Sequence, residues 1–258
     1  MTDQSFTPIS QELYRSPHED KVRRQFVETF KQCPIPEVDL MANLGLFLSS
    51  KNLSRILFMD FLYQQIFEVP GIVIEFGTRW GQNMALFSAL RGIYDPFNRH
   101  RKIVGFDTFT GFPSKSIGDK DNPTCVFIQE GELATGSEYI DYLNKILEYH
   151  ELDNPLSHIR RFELRPGDAS IEIVKYLEEF PETIIALAYF DVDIYEPTKN
   201  CLQAIRKHLV KGSVLGFDEL NDRDCPGETI ALAEVFGLNN IKLRRWRYVA
   251  RTAYFVVE

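Results

Sequence analysis

Four acidic residues in the C-terminal half are spaced for chemistry. Asp191 and Asp193 form a D-x-D after an apolar run at residues 184–190, and Asp218-Glu219 closes a second run at 213–217. Both runs read as strands. As neighbours they would lie about 4.8 Å apart, bringing Asp191 and Asp218 together at one edge of a sheet with Glu219 one residue beyond. Three carboxylates there repel at about 4 kcal/mol per close pair for an effective dielectric near 20, so a cation or bound protons must offset them. Oxygen-only ligation favours Mg²⁺, Mn²⁺ or Ca²⁺ over zinc. In extended chain Asp193 points to the same side as Asp191, about 6.6 Å further on, which suits a separate general base. A D-x-D alone reads equally well as a solvated turn; the second acidic pair tips the balance towards metal.

The residues that would receive an organic ligand lie earlier. Residues 72–81, IVIEFGTRWG, read as a buried strand running into a small-residue loop and a helix at about 82–91. Glu75 ends the strand and needs a partner. Gly77 frees the turn, Thr78 is placed to cap the following helix, and Gly81 lets that helix come close. The loop lacks the glycines of G-x-G-x-x-G and the lysine of a phosphate loop, so E-x-G-x-x-x-G suits a nucleoside without phosphate, or glycines needed for packing alone. The second strand, 102–106, ends in Asp107, placed to accept hydrogen bonds from a ribose diol. Beyond Thr108, Phe109 would lie against a purine or in the core. The third strand, 162–165, leads to Asp168-Ala169, where Asp168 caps a helix at 171–179, faces an adenine amino group, or does both.

The elements that position these residues alternate strand and helix, which predicts an α/β fold. The fourth strand is followed by a helix at 197–209 with proline first, and about 241–246 and 252–257 read as a closing antiparallel pair. Residues 1–36 are polar and carry four prolines, which argues against one long helix and for an arm; 39–67 reads as amphipathic helices. The domain expectation is an N-terminal arm and helical cap over 1–68 and a ligand-binding domain over 69–258. An insertion at 113–158, with a helix at 137–149, is the candidate lid.

The 258 residues, 44% hydrophobic and 26% charged, suit one α/β domain with a small appendage. A balance of 29 basic against 37 acidic residues gives −8 and argues against a nucleic-acid surface. No basic apolar leader opens the sequence and no apolar run approaches about 18 residues, so a cytoplasmic protein without a membrane anchor is expected. Cys33, Cys125, Cys201 and Cys225 lack C-x-x-C spacing and read as free thiols.

The motif order E-F-G-T-R-W-G, F-D-T-F-T-G-F-P, G-D-A-S, F-D-V-D-I-Y-E-P-T, G-F-D-E-L and C-P-G-E-T-I-A-L-A-E-V-F, over residues 70–236, resembles the macrocin O-methyltransferase family. The sequence departs from its usual pattern in having Asp218-Glu219 for an aspartate pair and Thr78-Arg79-Trp80 for valine-tryptophan-arginine. The resemblance implies a Rossmann-like class I methyltransferase fold, a seven-stranded mostly parallel sheet with helices on both faces. It implies S-adenosylmethionine and Mg²⁺ as cofactors and a sugar or glycoside hydroxyl as acceptor; a homo-oligomer stays open. Glu75 and Gly77 would line the methionine part of the cofactor, Asp107 the ribose, and Asp168 with Ala169 the adenine, the set completed by Thr78, Gly81, Thr108 and Phe109. Asp191, Asp218 and Glu219 would hold the metal, leaving Asp193 as base. Three other readings stand beside this one: methylation of a catechol-type phenol, a metal-dependent glycosyltransferase using the D-x-D, and a non-catalytic binding module.

Overall fold

The computed structural model describes residues 16–258 except 123, 126 and 250. It contains helices α1 (Pro17–Lys31), α2 (Glu37–Ala42) and α3 (Ser50–Gln64), then β1 (Ile72–Phe76), α4 (Gln82–Tyr94), β2 (Ile103–Asp107), α5 (Glu138–Leu152), β3 (Phe162–Pro166), α6 (Ala169–Glu179), β4 (Ile185–Phe190), α7 (Tyr195–Ile205), β5 (Leu209–Phe217), α8 (Gly227–Val235), β6 (Arg244–Arg245) and β7 (Ala253–Val256). Two compact units result, residues 1–53 and 54–258. Phe58, Met59, Leu62 and Tyr63 of α3 are fully buried in the core of the larger unit.

In the smaller unit, α1 is a helix of 15 residues lying between Pro17 and Pro34. Pro17 stands at its first position, where a missing N–H costs nothing, and Ser16 and Glu19 close a reciprocal capping box. Phe26 and Phe30 pack on Phe47. The rest of the expected arm, residues 1–15, lies outside the described residues.

The larger unit holds a seven-stranded sheet in the order β3-β2-β1-β4-β5-β7-β6. Strands β1 to β5 are parallel; β7 runs antiparallel to both β5 and β6. The strands are short β-branched and aromatic runs, and those of β1 and β4 are buried along their whole length, as strands covered on both faces must be. Residues of α3, α4 and α5 fill the core on one face, those of α6, α7 and α8 on the other. Because β2 and β4 flank β1, the chain reverses direction across the sheet at β1, and a crevice opens at the carboxyl ends there.

The segment expected as one lid divides in two. Its C-terminal part is α5, the crossover between β2 and β3, whose Leu143 and Leu147 are buried in the core. Its N-terminal part is a long loop whose Asp121, itself buried, accepts hydrogen bonds from the amides of Gly118 (2.9 Å) and Tyr195 (2.8 Å). The loop is thereby tied to the start of α7.

Glu151 of α5 joins Arg91 and Arg161 in a fully buried ion triad, with contacts of 2.8–3.0 Å. Removing its charge would leave two guanidiniums facing each other without a counterion. Glu151→Gln should therefore cost about 3–5 kcal/mol, read as a lower urea midpoint; an unchanged midpoint would show that the arginines' carbonyl partners suffice.

Candidate active site

The register explains how the acids meet. Phe76 pairs with Phe190 and Phe190 with Phe217, so the residues that follow emerge side by side. The Asp191 amide donates to the Phe76 carbonyl (2.9 Å) and the Asp218 amide to the Phe190 carbonyl (3.0 Å). Carboxylate oxygens of Asp191, Asp193 and Glu219 lie within 4.8 Å of one another. The separation expected for Asp193 is not found. Its backbone has φ +62°, in the left-handed region, so the chain turns back after β4 instead of running on extended.

Asp218 is held differently from its neighbours. Its Oδ1 accepts from the buried Tyr189 hydroxyl (2.6 Å) and lies 3.1 Å from the Arg55 guanidinium. That guanidinium also donates to Asp191, bridging the two aspartates from α3. On the other side Arg251 pairs with Glu219 (2.9 Å) and Asp222 (3.2 Å). Glu228 of α8 is fully buried and accepts from the amides of Val192 and Glu219, both at 3.3 Å. Arg55, Arg251 and Glu228 escaped the sequence reading of the site. Only Arg55 carried a local signal, as an arginine among the apolar residues of an amphipathic helix.

Burial, with repulsion from Asp218 and Asp193, pushes Asp191 up to about 7, although Arg55 opposes this. Burial acts on Asp218 too, but Arg55, hydrogen bonds with Glu219 and Tyr189, and Arg251 outweigh it and hold that carboxyl down at about 2. Glu219 is raised by burial and then by Asp218, Asp193 and Asp191, and its Oε2 is buried without a hydrogen-bond partner. Two guanidiniums thus leave the cluster under-neutralised. An all-oxygen set with an orphaned carboxylate oxygen is what a hard divalent cation fits.

At the neighbouring strand end, Glu75 is buried; its Oε1 accepts from Asn83 (2.7 Å) and its Oε2 has no partner. At Gly77, φ +87°, an added Cβ would stand 1.8 Å from the Asp191 carbonyl, so the glycine is what lets this loop pass the D-x-D. Gly81, φ +74°, caps α4 without a side-chain bond. Thr78 is not the cap expected: it is buried with its hydroxyl 4.0 Å from the Met84 sulfur. Asp107 accepts from the amides of Arg79 and Phe109, both at 2.6 Å, and Thr108 donates to the Gly111 carbonyl (2.7 Å). Phe109 is 1% exposed, so its ring belongs to the core, the alternative kept open for it, and offers no face to a purine. Asp168 caps α6 through the Ser170 amide (2.9 Å), and Ala169 is buried beneath it.

Burial, opposed by the Asn83 hydrogen bond, pushes the Glu75 carboxyl up to about 8. A carboxyl raised in the folded state adds stability that is complete below its usual range near 4.5 and is lost as pH climbs through about 8. Glu75→Gln should remove this loss: melting temperatures of wild type and variant should draw apart in the variant's favour between about pH 5 and pH 9. Parallel curves would mean that Glu75 is already charged in the folded protein.

A sheet of this order with acids at the ends of β1, β2, β4 and β5 is a Rossmann-like class I methyltransferase fold, and the chain is an S-adenosylmethionine-dependent O-methyltransferase. It is similar over 99% of both chains to CalS11, a calicheamicin methyltransferase, at 40% identity and a TM-score of 0.91. The apo structure of CalS11, a TDP-rhamnose 3′-O-methyltransferase, gives 39% identity over 94% of this chain and 96% of that one, with a TM-score of 0.82. The chain belongs to the sugar O-methyltransferase family that CalS11 represents. The O-methyltransferase NovP, at 17% identity, 79% coverage of each chain and a TM-score of 0.57, shares the fold. No family model and no curated protein sequence matches the chain. The glycosyltransferase and binding-module readings are set aside by this membership. Among the described residues no helix is long and apolar enough to cross a membrane, and all four cysteines are free.

Proposed function

We propose that the protein transfers the methyl group of S-adenosylmethionine to a sugar hydroxyl in a Mg²⁺-dependent reaction, as the resemblance to macrocin O-methyltransferases implies. The observation that carries this is the convergence of Asp191, Asp193 and Glu219 beside the orphaned Glu219 oxygen, in a chain 40% identical to CalS11 end to end. CalS11 acts on TDP-rhamnose, which supports a nucleotide-linked sugar as the acceptor class.

Asp191, Asp218 and Glu219 would hold the metal, with Arg55 bridging the first two. When bound there, Mg²⁺ lowers the pKa of the acceptor hydroxyl. Asp193 removes its proton. The left-handed turn aims the Asp193 carboxylate into the cluster, so the base stands close to the site of proton loss. Glu75 Oε2, buried and unpaired, would receive the cofactor's ammonium; Asp107 would accept from the ribose, and Asp168 from the adenine amino group beyond its cap. The Gly77 turn leaves room for the cofactor's methionine arm.

A thermal melt tests the cofactor assignment. S-adenosylmethionine at a hundred times its dissociation constant should raise the melting temperature by roughly 5–10 °C, with no such rise from NAD. No rise at saturation would remove the assignment of Glu75, Gly77 and Asp107 to the cofactor.

A further inference from the structure

A run of like charge near the C-terminus is unused by the site described above. Residues 242–251 contain Lys242, Arg244, Arg245, Arg247 and Arg251 and no acid, in a chain of net charge −8. Arg251 turns inward to Glu219 and Asp222. Arg244 and Arg245 are exposed on β6, and the Arg247 guanidinium lies 5.2 Å from the exposed Tyr248 ring. Among the described residues, no carboxylate stands at ion-pair distance from Arg244, Arg245 or Arg247.

Charge on an edge strand also deters pairing with other sheets, a duty these arginines serve. Arg244 and Arg245 alternate across the sheet, Arg244 beside Tyr254 of one core face and Arg245 beside Ala253 of the other, so Arg245 with Arg247 two residues on is the pair that can share one anion. Register gives their distance from the acids. Arg245 pairs with Ala253, and Ala253 with Phe217, the residue before Asp218. At about 4.8 Å per strand, the Arg245 backbone lies two strands, roughly 10 Å, from the end of β5. That interval accommodates one hexose ring. A sugar whose hydroxyl meets the carboxylate cluster and whose anomeric substituent points along the sheet edge would lay that substituent over the arginines. Guanidinium forks match phosphate oxygens two at a time, and carry their charge at any working pH.

We infer that Arg245 and Arg247 form a clamp for the diphosphate of a nucleotide-activated sugar, the acceptor of the methyl group. The inference rests on the sugar-acceptor reading above and assigns the residues that would select an activated sugar over a free glycoside.

The test is calorimetric binding of thymidine diphosphate and of thymidine to the full chain, with S-adenosylmethionine binding measured in parallel. Wild type should bind the diphosphate at least tenfold more tightly than thymidine. R245Q/R247Q should weaken diphosphate binding roughly 10- to 100-fold and leave S-adenosylmethionine affinity unchanged. K242Q removes one positive charge from the same segment, near Val257 and Glu258, and should change diphosphate affinity less than about twofold. Equal affinity for the diphosphate and thymidine, or equal losses in R245Q/R247Q and K242Q, would overturn the clamp. If the protein binds S-adenosylmethionine and methylates a simple glycoside but not the diphosphate sugar, the clamp fails and the methyltransferase reading stands. If S-adenosylmethionine does not bind, the reading itself fails, and the clamp with it.

Discussion

Asp193→Asn should lower turnover by about 10²- to 10⁴-fold while S-adenosylmethionine affinity stays at the wild-type value. The substitution is a clean one. Asparagine tolerates the left-handed backbone that Asp193 adopts at φ +62°, so the turn after β4 should persist. It keeps the shape of the side chain and removes its negative charge together with its ability to take a proton. It also relieves part of the repulsion within the cluster, since Asp193 is one of the charges that raise Asp191 and Glu219. The variant should accordingly melt no lower than wild type. Stopped turnover with intact folding, intact cofactor binding and an unchanged Mg²⁺ midpoint identifies the base; turnover within a few-fold of wild type would take Asp193 out of that role.

The second large effect is expected at Asp191, whose replacement by alanine should abolish the response of turnover to Mg²⁺. Asp191 contributes one of the converging oxygens and is one of two carboxylates bridged by Arg55. Without it, Arg55 is left with Asp218 alone and swings towards it, which further reduces the negative charge available to a cation. A magnesium titration of the variant should be flat at the residual rate. A titration with unchanged midpoint and amplitude would exclude Asp191 as a ligand and leave Arg55 and Arg251 as the cluster's resident counter-charges.

How much of this could be read in the sequence follows from the range of the interactions involved. The ends of β1, β2, β4 and β5 were legible because each strand is a short apolar run stopped by an acid or glycine, and a parallel sheet brings such ends to one edge. Seven strands with a closing antiparallel pair were likewise expected, although β6 shrank to two residues. The Asp193 turn was not legible, because spacing alone does not reveal a positive φ. Arg55 is 136 residues from Asp191, and nothing in its helix points to a strand end so far along the chain. Glu228 was visible only as one letter in a motif; its burial beneath two backbone amides is a property of α8 packing. In the N-terminal unit the prolines do bound the helix, which starts at Pro17 and ends before Pro34, and Ser16-Pro17 with Glu19 is the local helix start that its spacing left unread.

The central claim is methyl transfer from S-adenosylmethionine to a nucleotide-linked sugar with the acidic cluster holding the metal. It is tested most directly by incubating the protein with S-adenosylmethionine and TDP-rhamnose, with Mg²⁺ or with a chelator in excess, and following both products by mass spectrometry. The account predicts S-adenosylhomocysteine and a singly methylated nucleotide sugar in equal amounts with Mg²⁺, and neither with the chelator. Equal product formation under the two conditions would contradict the metal's role; S-adenosylmethionine left intact in both would contradict the acceptor class.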